Sequence, residues 1–280
     1  DADLTLRSQD AAYRPVVIPV GDFNGDGFAD FISAVSDNIF GTGSSFIRIY
    51  LGGHLNEDLN NNGVFDAGED LNANGKFDTA TDFNLTASSL TITLPAPVLR
   101  EIVSSATDAN KRFLRSFISA PGDLNGDGIS DLVVTVARTD GGDTTNAGVY
   151  VLFGRPDDLN TSVPDGWPAS VTLTTAANVK LTVPATGTGF LRAAIAGDLN
   201  GDGKDDLLIR SRVGTTDRVH AASGATLTNG LTMAVTGIAD RYVVGTTGDF
   251  AGLGDFNGDG KADFAILDTA SDIVHIVTDE

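Results

Sequence analysis

One ten-residue phrase occurs four times in this chain of 280 residues: Gly21–Asp30 (GDFNGDGFAD), Gly122–Asp131 (GDLNGDGISD), Gly197–Asp206 (GDLNGDGKDD) and Gly254–Asp263 (GDFNGDGKAD). Counted from its first aspartate, every copy carries Asp, Asn, Asp and Asp at positions 1, 3, 5 and 9, with Gly at 6. Alternate residues of a tight loop turn their carboxylates and amides inward, and the main-chain carbonyl at position 7 adds a further oxygen. Glycine at 6 permits the sharp turn. A hard cation such as Ca²⁺ takes six to eight oxygen ligands, so the spacing points to calcium. The plainer alternative for each loop is a set of Asx-turns without metal.

The repetition calls for a repeat architecture. The first aspartates are Asp22, Asp123, Asp198 and Asp255, at intervals of 101, 75 and 57 residues. An insertion around Asn56–Asp82 accounts for the long first interval. The remaining period suits a four-stranded unit. Short runs of Val, Ile, Leu, Phe and Thr dominate, punctuated by Gly, Asn, Asp and Pro, and helical periodicity is hard to find.

After each loop an apolar strand is expected: Asp30–Val35, Asp131–Ala137, Asp206–Ser211 and Asp263–Asp268. Second strands fit Phe46–Gly52, Gly148–Gly154, Asp217–Ala222 and Asp272–Asp279. Third strands fit Leu90–Pro95, Ser170–Thr175 and Leu231–Gly237, and fourth strands Arg112–Ala120, Phe190–Gly197 and Arg241–Gly248. The last unit has only two strands. Asp3–Ser8 and Tyr13–Val20, ahead of the first loop, are expected to complete it. The expected fold is all-β, a propeller of about four four-stranded blades over residues 1–280 whose fourth blade is completed by the N-terminal strands, as closure protects sheet edges.

The phrase GDxNGDGxxD followed by an apolar strand, together with Val149-Tyr150-Val151-Leu152-Phe153-Gly154, resembles the FG-GAP repeats of integrin alpha-chain β-propellers and their bacterial relatives. The first unit has Ile49-Tyr50-Leu51-Gly52-Gly53 in that place, while the third and fourth lack the Phe-Gly pair. The resemblance implies a propeller with Ca²⁺ in loops near the blade edges. It assigns as ligands Asp22, Asn24, Asp26, the Phe28 carbonyl and Asp30, then Asp123, Asn125, Asp127, the Ile129 carbonyl and Asp131. The third loop supplies Asp198, Asn200, Asp202, the Lys204 carbonyl and Asp206. The fourth supplies Asp255, Asn257, Asp259, the Lys261 carbonyl and Asp263. Integrin propellers have seven blades, and this chain supplies four. A small closed ring, part of a larger ring, and ends that pair with another copy all remain open.

The insertion, residues 55–82, carries its own metal signature. Asp58, Asn60, Asn62, Val64, Asp66 and Glu69 occupy positions 1, 3, 5, 7, 9 and 12 of an EF-hand-type loop, with Gly63 at 6. Asp70, Asn72, Asn74, Lys76 and Asp78 repeat the pattern, with Thr81 where a glutamate would stand. No helices separate the two loops, so the segment is similar to dockerin-like or thrombospondin type 3-like tandem calcium loops rather than to an EF-hand pair. The alternative is a disordered Asn/Asp/Gly-rich loop.

Charge fits a calcium load. The chain has 38 acidic and 18 basic residues, a formal charge of −20. That balance argues against nucleic acid and anionic membrane surfaces as partners. Six Ca²⁺ would bring it to about −8, ordinary for a soluble domain. There is no cysteine, hence no disulfide framework or thiolate site. No apolar run is long enough to span a membrane. The start Asp1-Ala2-Asp3 carries no signal peptide and reads as a trimmed piece of a longer precursor. Loops of this class in extracellular modules bind at about 0.1–1 mM, so the expected location is extracellular or at the cell surface.

Three functions fit: a calcium-stabilised adhesion or protein-interaction module, a filament or surface-layer subunit joined by strand pairing, and a lectin-like part of a secreted carbohydrate-active enzyme. Catalysis is not expected. His54, His220 and His275 have no nucleophile motif beside them, Trp167 is the only tryptophan, and Asp205 and Asp157 read as solvated surface. The expected partner is a protein, a matrix or cell surface, or a second copy of the chain.

Overall fold

The computed structural model describes residues 17–25, 27, 29–35, 46–50, 99–103, 118–119, 121–136, 148–156, 170–182, 188–213, 216–238, 240–244, 247–268 and 271–278. These residues are mostly β-strand, arranged in four sheets. The insertion at 55–82, the Leu90–Pro95 strand and Asp3–Ser8 lie outside them.

The first sheet runs β1 (Val17–Gly21), β2 (Asp30–Val35), β3 (Phe46–Tyr50) and β4 (Leu99–Val103), each antiparallel to the one before. The second contains β5 (Leu132–Val136), β6 (Gly148–Leu152) and β8 (Val179–Thr182), also antiparallel. A bridge from Ile118 to Val134 brings the chain ahead of the loop alongside β5. The third holds β9 (Thr188–Gly197), β10 (Asp206–Val213), β11 (Thr216–Ala222) and β13 (Asp240–Val244). The fourth holds β14 (Thr247–Gly254), β15 (Asp263–Asp268) and β16 (Ile273–Val277).

This pairing corrects the expected grouping of strands. The strand entering each loop pairs with the strand leaving it, so each repeated loop joins neighbouring strands of one sheet. Val17–Gly21 therefore pairs with Asp30–Val35, with Ile18 opposite Ile32 and Pro19 opposite Phe31, and does not complete the fourth sheet. A short loop closes two antiparallel neighbours at little entropic cost, and that local solution wins over pairing with a distant C-terminal strand. Pro19, which has no amide to donate, sits on the sheet's edge strand. Among the described residues the fourth sheet has three strands.

Two short segments expected as third strands of their own units instead cross to the preceding sheet. β7 (Ser170–Thr172) lies parallel to β4 of the first sheet, and β12 (Leu231–Ala234) lies parallel to β8 of the second. Each is followed by a single helical turn, Leu173–Ala176 and Val235–Gly237. Each covers an outer edge that would otherwise present unpaired backbone groups.

The sheets stack face to face in chain order. Ile32 and Ile49 of the first sheet meet Leu132, Val134 and the fully buried Tyr150 of the second. On the opposite face of the second sheet Val133, Val149 and Val151 share a cluster with Ala193, Leu207 and Ile209 of the third. Leu208 and Val219 then meet Phe264 and Ile266 of the fourth. Burial on both faces explains why the middle strands read as continuous apolar runs rather than as alternation. Among the described residues no apolar cluster joins the fourth sheet to the first, and no helix is long and apolar enough to cross a membrane.

Candidate metal centre

Each repeated loop folds around its own aspartates. In the second loop the Asp123 carboxylate accepts the amides of Gly126 and Asp127 on Oδ1 and of Gly128 on Oδ2, at 2.6, 3.1 and 2.7 Å. Asp198 does the same for Gly201, Asp202 and Gly203, and Asp255 for Gly258, Asp259 and Gly260. In the first loop the Gly27 amide donates to Asp22. The glycines at positions 4 and 6 both adopt positive φ, 79° at Gly126 and 86° at Gly128, where a side chain would be strained. The sequence argument used only the second of these glycines.

Position 5 closes the next turn. Asp127 Oδ1 accepts the amide of Ile129, Asp202 that of Lys204 and Asp259 that of Lys261. The asparagine at position 3 braces it: Asn125 Nδ2 donates to Asp127, and Asn257 Nδ2 to Asp259. Asn200 instead donates to Asp206 and Ser223. Position 9 pins the loop to the sheet. Asp30, Asp131, Asp206 and Asp263 are all buried, and in each the Oδ2 accepts the amide of position 2: Phe23, Leu124, Leu199 and Phe256, at 2.7 to 3.0 Å.

The second oxygen of that aspartate reaches the end of the strand two along. Gly154 donates to Asp131 Oδ1 and Gly224 to Asp206 Oδ1, both at 2.9 Å. Here the Phe153-Gly154 pair and its counterpart Ser223-Gly224 acquire a physical role. A Cβ on Gly224 would run into the carbonyls of Asp205 and Leu124, and one on Gly154 into those of Ser130 and Phe23. Only glycine fits where three chain segments converge.

The electrostatics follow from burial. Desolvation pushes the Asp131 carboxyl up to about 7; amides from Gly154 and Leu124 oppose the rise, and the charges of Asp127 and Asp123 add to it. Burial also raises Asp206. At Asp198 burial acts upward but is outweighed by the loop amides of Gly203, Gly201 and Asp202, and the carboxyl lies below its ordinary value.

The structure thus brings positions 1, 3, 5 and 9 of the second, third and fourth loops into one turn each. In the first loop Asp22, Asn24 and Asp30 are in place, while Asp26 and Phe28 lie outside the described residues. All the insertion ligands, Asp58 to Asp78, lie outside them as well. Among the described residues no three carboxylate or imidazole groups converge into a preformed cage. The carboxylates are engaged with amides, which leaves each oxygen further lone pairs. The donor set still fits a hard cation: it is all oxygen, it carries three carboxylates per loop, and one of those carboxylates is buried. Buried carboxylates are costly unless a positive charge or hydrogen bonds compensate. In the fourth loop Asp263 Oδ1 is buried and makes no hydrogen bond.

The loops also bond to one another. The amide at position 8 of each loop donates to the carbonyl at position 1 of the loop before: Ser130 to Asp22, Asp205 to Asp123 and Ala262 to Asp198, at 2.9, 2.9 and 2.7 Å. Lys204 Nζ adds a bond to the Asn125 carbonyl at 2.7 Å. Asp205, expected as solvated surface, is half-buried and accepts the amide of Asp123. Sequence reasoning missed this ladder because position 8 varies (Ala, Ser, Asp, Ala) and the bonds use the main chain.

Residues 190–225 match the FG-GAP repeat. The match begins in β9, runs through the third loop and ends just past Gly224, so the FG-GAP unit comprises the strand entering the loop, the loop, and the two strands after it. The second and fourth loops repeat the bonds that positions 1, 5 and 9 make to loop amides in this FG-GAP unit, and the first loop repeats those from Gly27 to Asp22 and from Phe23 to Asp30. The search of curated proteins returned no significant match.

Two side chains outside the loops also come together. Ser211 Oγ lies 2.8 Å from His220 Nε2, and both are buried between β10 and β11. This is a hydrogen-bonded core contact closed off from solvent. His275 is partly exposed, and His54 and Trp167 lie outside the described residues.

Proposed function

We propose that this chain is a calcium-stabilised β-propeller module of FG-GAP units, working outside the cytoplasm in adhesion or protein interaction, with no catalytic role. One observation carries the reading: four loops share one all-oxygen donor pattern, and each ends in a buried aspartate at the head of the strand that follows. Calcium in such a place is structural. It would be held by the Asp and Asn side chains at positions 1, 3, 5 and 9 and the carbonyl at position 7, and its binding free energy would add to folding free energy. The third unit's FG-GAP match supports extending the same assignment to its three look-alikes, and FG-GAP units favour the propeller over other stacked-sheet arrangements. The two insertion loops are proposed as peripheral calcium sites.

Calorimetric titration tests this. The full chain should take up at least four Ca²⁺ at affinities typical of extracellular modules, in the range of about 0.1–1 mM. The double change Asp127→Ala with Asp131→Ala should remove one site and lower the melting temperature. The double change Asp70→Ala with Asp78→Ala should remove calcium uptake with little loss of melting temperature. Equal losses from both pairs would contradict the division into structural and peripheral sites, and absence of binding heat would overturn the calcium assignment.

A further inference from the structure

The loop ladder has two unmatched ends. At every internal step the later loop covers the earlier one at the same places. The glycine preceding each loop abuts the next loop's position 8: a Cβ on Gly21 would meet Ser130, one on Gly122 would meet Asp205, and one on Gly197 would lie 2.8 Å from the Ala262 Cβ. The glycine at position 4 abuts position 7: Ile129 beside Gly25, Lys204 beside Gly126, Lys261 beside Gly201. The residue at position 2 is buried, with Phe23, Leu124 and Leu199 at 1, 0 and 4% exposure.

Among the described residues the fourth loop has the same parts with nothing against them. Of these residues none lies within 4 Å of the Cβ positions of Gly254 and Gly258. Phe256, at the buried position 2, is 62% exposed. The Asp255 carbonyl accepts no amide among the described residues. The sheet behind this loop is bare as well: the face opposite Phe264 and Ile266 presents Leu267, Val274 and Ile276 to solvent. Isolated exposed apolar residues are ordinary, but a contiguous apolar face with open backbone acceptors marks a docking surface.

The complementary end is on the first sheet. Ala29, at position 8, is exposed, and its amide has no acceptor among the described residues. It is the same residue as Ala262, which seats against Gly197 at the last internal step. Val17 and Pro19 stand exposed on the face turned away from the second sheet. We infer that the fourth sheet and its loop dock the first sheet and loop of a second copy of this chain, head to tail, continuing the internal ladder: the Ala29 amide donates to the Asp255 carbonyl, its methyl seats on Gly254, and Phe256 becomes buried. The occupant follows from continuity. Three internal interfaces share one register, the two open ends match in residue type and polarity, and among the described residues the fourth and first sheets of one chain share no apolar cluster. Such a heterologous contact adds copies head to tail, into a ring where the rotation closes and a filament where it does not. The inference goes beyond the calcium reading and needs calcium only so far as it orders the loops.

Two substitutions outside the loops separate the ends. Val17→Glu places a charge on the outward face of the first sheet, and Val274→Glu places one on the bare face of the fourth. Both positions are exposed, at 70 and 59%, so each variant should keep its fold, with circular dichroism as the check. Light scattering coupled to size exclusion in millimolar Ca²⁺ should show the unaltered chain growing beyond its monomer mass of 29.0 kDa as concentration rises. Each variant alone should stay monomeric. An equimolar mixture of the two should give a capped species of twice the monomer mass, because one intact first sheet and one intact fourth sheet remain. A folded, calcium-loaded chain that stays monomeric at all concentrations overturns the inference and leaves the calcium reading intact. So does self-association that survives both substitutions, or a mixture that stays monomeric.

Discussion

Removing calcium should lower the melting temperature of this chain by roughly 20 °C or more. A ligand held only by the folded state stabilises it by about 2.7 kcal/mol when present at a hundred times its dissociation constant. Four such sites would contribute about 10 kcal/mol. For a chain of this size each kcal/mol moves the midpoint by about 2–4 °C. Thermal melts in calcium at a hundred times the dissociation constant, about 10–100 mM, and in EDTA give the number directly. Identical midpoints would refute a structural role for the metal.

The same experiment has a pH signature. Without metal, the Asp131 carboxyl titrates at about 7 in the folded chain against 3.8 for the ordinary group, because burial disfavours its charge and Asp127 and Asp123 repel it. The folded state therefore holds this proton more tightly than the unfolded state does. By linkage, the metal-free protein gains stability as pH falls from about 7 towards 4 and loses it as pH rises through that window. Bound calcium would supply the positive charge instead, so the dependence should flatten at saturating calcium. Asp131→Asn in EDTA should remove this contribution to the slope. An unchanged slope in that variant would show that Asp131 is not its source.

Gly224→Ala should be among the most damaging single changes in the chain. The added methyl would strike the carbonyls of Asp205 and Leu124, which belong to two different loops and cannot both retreat. Overpacking of this kind costs about 1–3 kcal/mol. The displaced backbone would also weaken the amide bond to Asp206, a charged acceptor worth about 1.5–3 kcal/mol. A loss of about 3–5 kcal/mol is expected. Gly203→Ala is the control: its φ of 85° disfavours a side chain, but the space beside it is open. That change should cost only about 1–2 kcal/mol. Denaturant unfolding of the two variants ranks them, and a Gly203→Ala loss equal to or above that of Gly224→Ala would remove the convergence argument.

What the sequence alone determined is local. The repeated Asp-x-Asn-x-Asp-Gly spacing dictates its own loop, because positions 1, 5 and 9 bond to amides within eight residues of themselves. That made the loops and the apolar strands after them legible. The continuous apolar runs in Leu132–Val136 and Asp206–Val213 also marked these segments as strands. Only the tertiary structure decided which sheet each strand joins. Val17–Gly21 belongs with the strand after its loop, and Ser170–Thr172 and Leu231–Ala234 serve the sheet before their own. A strand's sequence records which of its faces is apolar but not whose edge it meets, since the bonds that choose the partner are main-chain bonds common to every residue. The same reason hid the ladder from position 8 to position 1 and the part played by Asp205. It also hid the convergence at Gly154 and Gly224, which exists only once two loops and a strand have been packed together.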